Sequence, residues 1–283
     1  MARIVVAMVL ALLAFTTSAH AQIREIKDCD QCPTVVVIPP GKFQRSDTAV
    51  GTPFPVEIKR PFAIAKYEVT VGQFRAFVAD TGAAIAGCTQ WRDLGPKDNP
   101  AATWDNAFPT KQADTEPVVC VSWDDVDAYV EWLRRKSGEP YRLATEAEWE
   151  YSARAGGPNT STLWLKANLN ANGANCQDCG GNSTMGHIED LKVFPVGRFT
   201  GNAFGLFDMY GNAAEWVDDC YNRSLEKAPR DGTAWLDGDC NLHVTRGGGW
   251  RSEWTTIGGF REGVEAKKRL NDTGFRVAKS LPE

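Results

Sequence analysis

The sequence predicts an α+β fold with few helices, short strands and long loops, and three observations lead there. Only three stretches combine a helical spacing of apolar residues with start and stop signals. Short runs of β-branched and aromatic residues, broken by proline-glycine turns, precede the first of them. From Gly156 onward the pattern changes to short extended pieces between glycine, asparagine and aspartate.

The elements follow in order. Arg3 precedes an apolar run from Ile4 to Phe15 that closes on Ala19-His20-Ala21, the charge, apolar stretch and small-residue site of a secretory signal peptide. Residues 1–21 are therefore expected to be removed, leaving residues 22–283 as one exported domain, periplasmic or secreted. The run is far below the roughly 20 residues of a spanning helix, and no cysteine follows the cut to carry a lipid, so no membrane anchor is expected. "TVVVIPPGKF" and "PVEIKRPFAIAKYEVT" read as short strands.

Thr70 caps the first helix, with Phe74, Phe77 and Val78 on one face and Gly82 as the stop. Ser122 opens the second, whose stripe is Val126, Tyr129, Val130 and Leu133. Its last turn carries Arg134, Arg135 and Lys136, where positive charge suits the helix dipole, before Gly138. Thr145 and Glu148 form a capping box for the third, with Trp149 facing the core. Loops as long as those that follow need fasteners, and ten tryptophans, disulfides and bound ions are the candidates.

The formal charge of -5 becomes about -6 without the signal segment, which offers no basic stripe for nucleic acid and no polybasic run for membranes. Eight cysteines form an even set in an oxidising compartment. Nearness along the chain suggests Cys29 with Cys32, Cys88 with Cys120, Cys176 with Cys179 and Cys220 with Cys240, one of 105 connectivities. The alternative is a four-thiolate zinc site built from the two C-x-x-C motifs. No βαβ pattern surrounds either motif to support a thioredoxin-like role.

Several stretches together are similar to the formylglycine-generating enzyme, or sulfatase-modifying factor, family. They are "VVVIPPGKF", "KYEVTVGQFRAFV", "PVVCVSWDDVDAYVEWL", "YRLATEAEWEYSARAG", "NAFGLFDMYGNAAEW", "VTRGGGW" and "TGFRVAK", in the family's order across nearly the whole mature chain. The resemblance implies an α+β domain related to C-type lectins. Within "RLATEAEWEYSARAG", Glu148 or Glu150 is expected to face an arginine, with Arg276 as the partner, since guanidinium and carboxylate share two parallel hydrogen bonds.

The resemblance also implies calcium. Its ligands would be the side chains of Asp208 and Glu215 and the carbonyls of Gly211 and Ala213, hard oxygens gathered by a tight turn. The alternative is a hydrogen-bonded turn with Glu215 paired to an arginine. A second calcium would begin at Asn175 and the carbonyl of Cys176, with Asp190 a possible further ligand.

In the family's oxidase two cysteines after the glycine run bind Cu(I) and activate oxygen. Here those positions fall on Ser252 and Ile257. A hydroxyl is hard and stays protonated, and isoleucine has no donor atom, so copper is not expected. His187 and His243, far apart and read as surface or loop residues, offer no substitute. Ser252 has no evident base to make it a nucleophile.

What remains in "GGGWRSEWTTIGGFR" is Trp250 and Trp254 as rigid apolar area and Arg251 and Glu253 as polar groups, with Arg261 and Glu262 at the far end. The sequence therefore predicts an exported binding module on this scaffold, for an unknown peptide, protein, glycan or small ligand. The alternative is a divergent tailoring enzyme, since relatives without the thiols include proteins of siderophore maturation. Formylglycine generation itself is disfavoured by the missing sulfurs. Ser252 and Ile257 in apolar surroundings would favour binding, whereas Glu253 and Arg261 converging with another titratable group would favour catalysis.

Overall fold

The structure, a computed structural model, describes residues 23–45, 53–92, 95–156, 173–177, 179, 192–257 and 259–282. The expected signal peptide, His187 and Asp190 lie outside the described residues. In chain order the elements are β1 (Glu25–Ile26), β2 (Val35–Ile38), β3 (Gly41–Arg45), β4 (Phe54–Ile58), β5 (Phe62–Ala65), α1 (Val71–Thr81), β6 (Cys88–Arg92), β7 (Gly95–Asn99), α2 (Trp123–Ser137), β8 (Tyr141–Leu143) and α3 (Glu146–Ala153). After these come β9 (Ala214–Tyr221), β10 (Asp239–Arg246), the single turn α4 (Trp254–Ile257), β11 (Arg261–Glu265), β12 (Thr273–Phe275) and β13 (Val277–Ser280). The fold is α+β.

The three longer helices begin and end where their caps dictate. Thr70, Ser122 and Thr145 each accept a hydrogen bond from the backbone three residues on, and the side-chain oxygens of Gln73, Asp125 and Glu148 accept one from the cap's own N–H. These reciprocal bonds satisfy donors that would otherwise be orphaned. Gly82 and Gly138 end α1 and α2 in the left-handed conformation, at φ 70° and 74°.

A five-stranded antiparallel sheet runs β1-β2-β5-β13-β8, and a four-stranded sheet runs β11-β10-β9-β12 with β12 parallel to β9. Two hairpins, β3–β4 and β6–β7, stand beside them. The helices α1 and α2 pack Phe74, Phe77, Tyr129 and Trp132 against Phe275 of β12, with Phe74 stacked on Tyr129 at 5.7 Å. A second apolar cluster gathers Trp149, Met209, Val217, Val244 and Ile257.

Two expectations need correction. The chain after Gly156 holds more than short extended pieces, because β9 and β10 are eight residues each and pair closely. Acids at Glu215, Asp218 and Asp219 disguise β9 as a loop, yet nearly all its residues are buried and so it lacks polar alternation. His243 is no surface or loop residue. It lies on β10, buried, with its ring stacked 3.9 Å from that of Trp123.

All eight cysteines are paired as expected: Cys29–Cys32, Cys88–Cys120, Cys176–Cys179 and Cys220–Cys240. The four-thiolate zinc alternative falls with that pairing, because neither C-x-x-C retains a thiolate.

Candidate functional site

The glycine run leaves β10 at Arg246 and turns immediately, with Gly247 and Gly248 at φ 86° and 64°. Side chains are costly there. A methyl group on Gly248 would fall 2.8 Å from Ser252 Oγ and 3.2 Å from Ile257 Cγ1, so the two positions face one point. What meets there is a hydroxyl and a hydrocarbon, both buried. Ser252 Oγ accepts from Gly249 N at 3.1 Å, and the Ser252 carbonyl accepts from Gln177 N at 3.0 Å, which ties the Cys176–Cys179 loop to this turn.

Copper does not fit this donor set. Cu(I) needs soft ligands, the converging atoms are oxygen and carbon, and every sulfur of cysteine is in a disulfide. Among the described residues no group of three or more histidine, cysteine, aspartate or glutamate side chains is placed to hold a metal ion.

Trp250 corrects the sequence reading. It is 1 % exposed, packs edge-on to Phe108 at 5.9 Å and donates its indole N–H to the Asn271 carbonyl at 3.1 Å, so it is core and no wall of a groove. Trp254 belongs to α4, and its side chain lies outside the described residues. Arg251 is half-buried, with its guanidinium 3.7 Å above the Trp91 ring and ion-paired with Asp272. Glu253 is exposed. Burial pushes the Glu262 carboxyl up, with Arg251 opposing and Asp272 adding to the rise.

Arg261 points away from this group. Its Nε donates to Glu146 at 2.8 Å, where Arg45 also arrives at 2.7 Å. With Arg246 close by, these cations hold the Glu146 carboxyl down to about 2 against its burial. Glu150, one turn on, meets Arg45 at 3.1 Å, Arg246 at 3.4 Å and Arg154. Arginines from β3, β10 and β11 thus lock α3 beneath the glycine run.

The expected partner of Arg276 was on α3, and the structure overturns that. Glu148 pairs bidentately with Arg142 on β8, at 2.6 and 2.7 Å. Arg276, leaving β12, meets Glu215 on the neighbouring strand β9 instead, at 2.7 and 2.6 Å. Trp149 Nε1 also donates to Glu215, at 2.6 Å.

This bears on the expected calcium set. Both carboxylate oxygens of Glu215 already serve a fixed guanidinium, so Glu215 does not fit as a calcium ligand in this arrangement. Asp208 differs. Its Oδ2 accepts from Gly197 N at 2.6 Å, while Oδ1 is buried with no hydrogen-bond partner. Burial, with Glu215 nearby, pushes its carboxyl up. At the expected second site, Asn175 donates its amide to the Lys192 carbonyl and to Asn212 Oδ1, and the Cys176 carbonyl accepts from Cys179 N.

Two residues escaped the sequence reading. Glu68 accepts from Asn212 Nδ2 at 2.9 Å and from Ala213 N at 3.0 Å, fully buried, and that burial pushes its carboxyl well up. Asn212 sits at φ 64° beside Gly211 at φ 80° and joins Asn175, Phe194, Glu68 and Trp250. The signal was present as Gly-Asn, a turn pair, but the turn reading left its side chain unexamined.

Comparison with known proteins agrees with this geometry. A formylglycine-generating enzyme from Mycobacterium tuberculosis is 30% identical over 234 residues, 65% of this chain and 73% of that protein. A Mus musculus protein named inactive C-alpha-formylglycine-generating enzyme 2 is 28% identical over 304 residues, 88% of this chain and 87% of that one. The solved structure of PvdO from Pseudomonas aeruginosa superposes with a TM-score of 0.73 at 33% identity, covering 91% of this chain and 98% of that one. The model of the sulfatase-modifying factor enzyme 1-like domain matches residues 22–281, and the chain belongs to that family.

Proposed function

We propose that this chain is an exported member of the family that binds a ligand and does not carry out copper-dependent oxidation. The observation that carries the reading is the convergence of Ser252 and Ile257 on Gly248, with no free cysteine to replace them. Apolar surroundings at those two positions, with Glu253 exposed and Arg261 turned to Glu146, favour recognition over acid–base chemistry. The recognition surface is the Arg251–Trp91 stack with Glu253 at its edge, Trp250 serving as its foundation. Four disulfides support export to an oxidising compartment, in keeping with the signal segment at residues 1–21.

A tailoring enzyme is the second reading. Glu262, exposed on β11 with its carboxyl raised beside Arg251 and Asp272, is the titratable group that favours it. Calcium is a separate proposal, centred on the unpartnered Asp208 Oδ1 and backbone carbonyls and leaving Glu215 to Arg276.

The deciding experiment offers the purified protein Cu(I), oxygen and a cysteine-containing sulfatase peptide. Mass spectrometry should find the cysteine unchanged. Conversion to the aldehyde at catalytic copper would overturn the reading.

A further inference from the structure

A second recess lies away from the glycine run, where the end of β4, the start of β5, β8, the first turn of α3 and β9 meet the loop at 231–234 and the end of β13. Its volume is about 470 Å³, within the range of small-ligand sites. Ile58, Phe62 and Leu281 supply apolar wall. The loop is pinned across it by Thr145 Oγ1 donating to the Gly232 carbonyl at 2.8 Å and by Glu57 N donating to the Arg230 carbonyl at 2.9 Å. The recess is therefore built by hydrogen bonds between distant segments.

Its charges are unequally spent. Arg142 gives two bonds to Glu148 and a third to Ser280 Oγ at 3.0 Å, so that pair is satisfied within the protein. Asp218 is held by its backbone, N to the Ala144 carbonyl at 3.0 Å. Among the described residues its half-buried carboxylate makes no hydrogen bond or ion pair. That burial, with Asp127 and Glu148 nearby, pushes the carboxyl above its usual range although Arg142 and Arg134 attract it from a distance. Lys59, exposed at the rim, makes no hydrogen bond or ion pair among the described residues, and Asp231 on the 231–234 loop is near enough to feel its charge.

We propose that this recess binds the amino-terminal end of a peptide, its α-ammonium group against Asp218, its first side chain on Ile58, Phe62 and Leu281, and its carbonyl oxygens toward Lys59. An ammonium supplies the direct hydrogen-bonded partner that Asp218 lacks, and the rim cation sets the direction in which the chain leaves. A lysine side chain satisfies only the first condition. The site shares no residue with the Ser252 turn, so its failure would leave the family function untouched.

The test is calorimetry with phenylalanyl-glycinamide, its N-acetyl derivative and N-acetyl-lysinamide on the full mature chain. The free-amine dipeptide should bind the wild type at least tenfold more tightly than either acetylated probe. Asp218→Asn should abolish that preference. Because the carboxylate has no partner to lose, this variant should keep the wild-type melting temperature, which separates lost binding from lost fold. The proposal is overturned if no binding is seen at millimolar dipeptide, if acetylation changes nothing, if N-acetyl-lysinamide binds equally, or if folded Asp218→Asn binds as the wild type does.

Discussion

Arg276 and Glu215 meet through two parallel hydrogen bonds in the interior, at 2.7 and 2.6 Å, and this pair joins β12 to β9 where the two strands run parallel. Each is also held from a third direction, Glu215 by the Trp149 indole and Arg276 by the carbonyls of Ala65 and Phe207. Removing one partner strands a buried charge, which costs about 3–5 kcal/mol. Arg276→Met should lose stability on that scale in urea titration, and Arg276→Met with Glu215→Gln should recover part of it. A loss below about 1 kcal/mol, the worth of an exposed pair, would show the pair to be solvated.

Stability should peak below neutral pH. Glu146 sits at about 2 in the fold against an ordinary 4.5, so it stabilises above the ordinary value and that contribution is lost as pH falls toward 2. Asp219, buried beside Glu146, is raised from 3.8 to about 7, so the folded state holds a proton the unfolded chain has released. Its sign is opposite, and stability declines as pH rises from about 4 to about 7, by up to about 1.4 kcal/mol per pH unit. Asp208 and Glu68 act in the same direction. Urea midpoints from pH 2 to pH 8 should show a maximum near pH 4–5, and Asp219→Asn should flatten the upper limb. A monotonic rise to pH 8 would contradict the assignment.

Restoring sulfur should restore metal binding. Since Ser252 and Ile257 face one point beside Gly248, Ser252→Cys with Ile257→Cys should bind one Cu(I) in competition with a chelator, and the wild type none. Binding of copper by the wild-type protein would mean that another donor set operates.

Trp250→Ala distinguishes core from recognition surface. Loss of a fully buried indole costs about 3–5 kcal/mol, so the melting temperature should drop sharply, whereas a groove tryptophan would leave it nearly unchanged. Arg251→Ala, by contrast, should melt within a few degrees of wild type.

The caps and the disulfides were legible because they are local. Thr70, Ser122 and Thr145 choose partners three residues away, and each cysteine pair closes over a short separation, at most 32 residues. The partner of Arg276 was not legible. Glutamates at 148, 150 and 215 are chemically equal, and only the parallel pairing of β12 with β9 selects Glu215. Trp250 was misread for a related reason: beside glycines an indole suits a groove or a core, and the choice belongs to Asn271 and to Phe108, the latter far off in sequence. The pairing of Ser252 with Ile257 was implied by the family resemblance alone, while their convergence and buried setting required the fold.

The five-stranded sheet carries one more implication. Its β13 strand sits between β5 and β8, and Ala278 pairs with Ile64 more than two hundred residues earlier. The segments on either side must wait for a late arrival to join them, and such distant pairings slow folding. Until β13 is made, the facing edges of β5 and β8 stay open, and a halt in synthesis before it would leave both ready to stick to whatever strand came by.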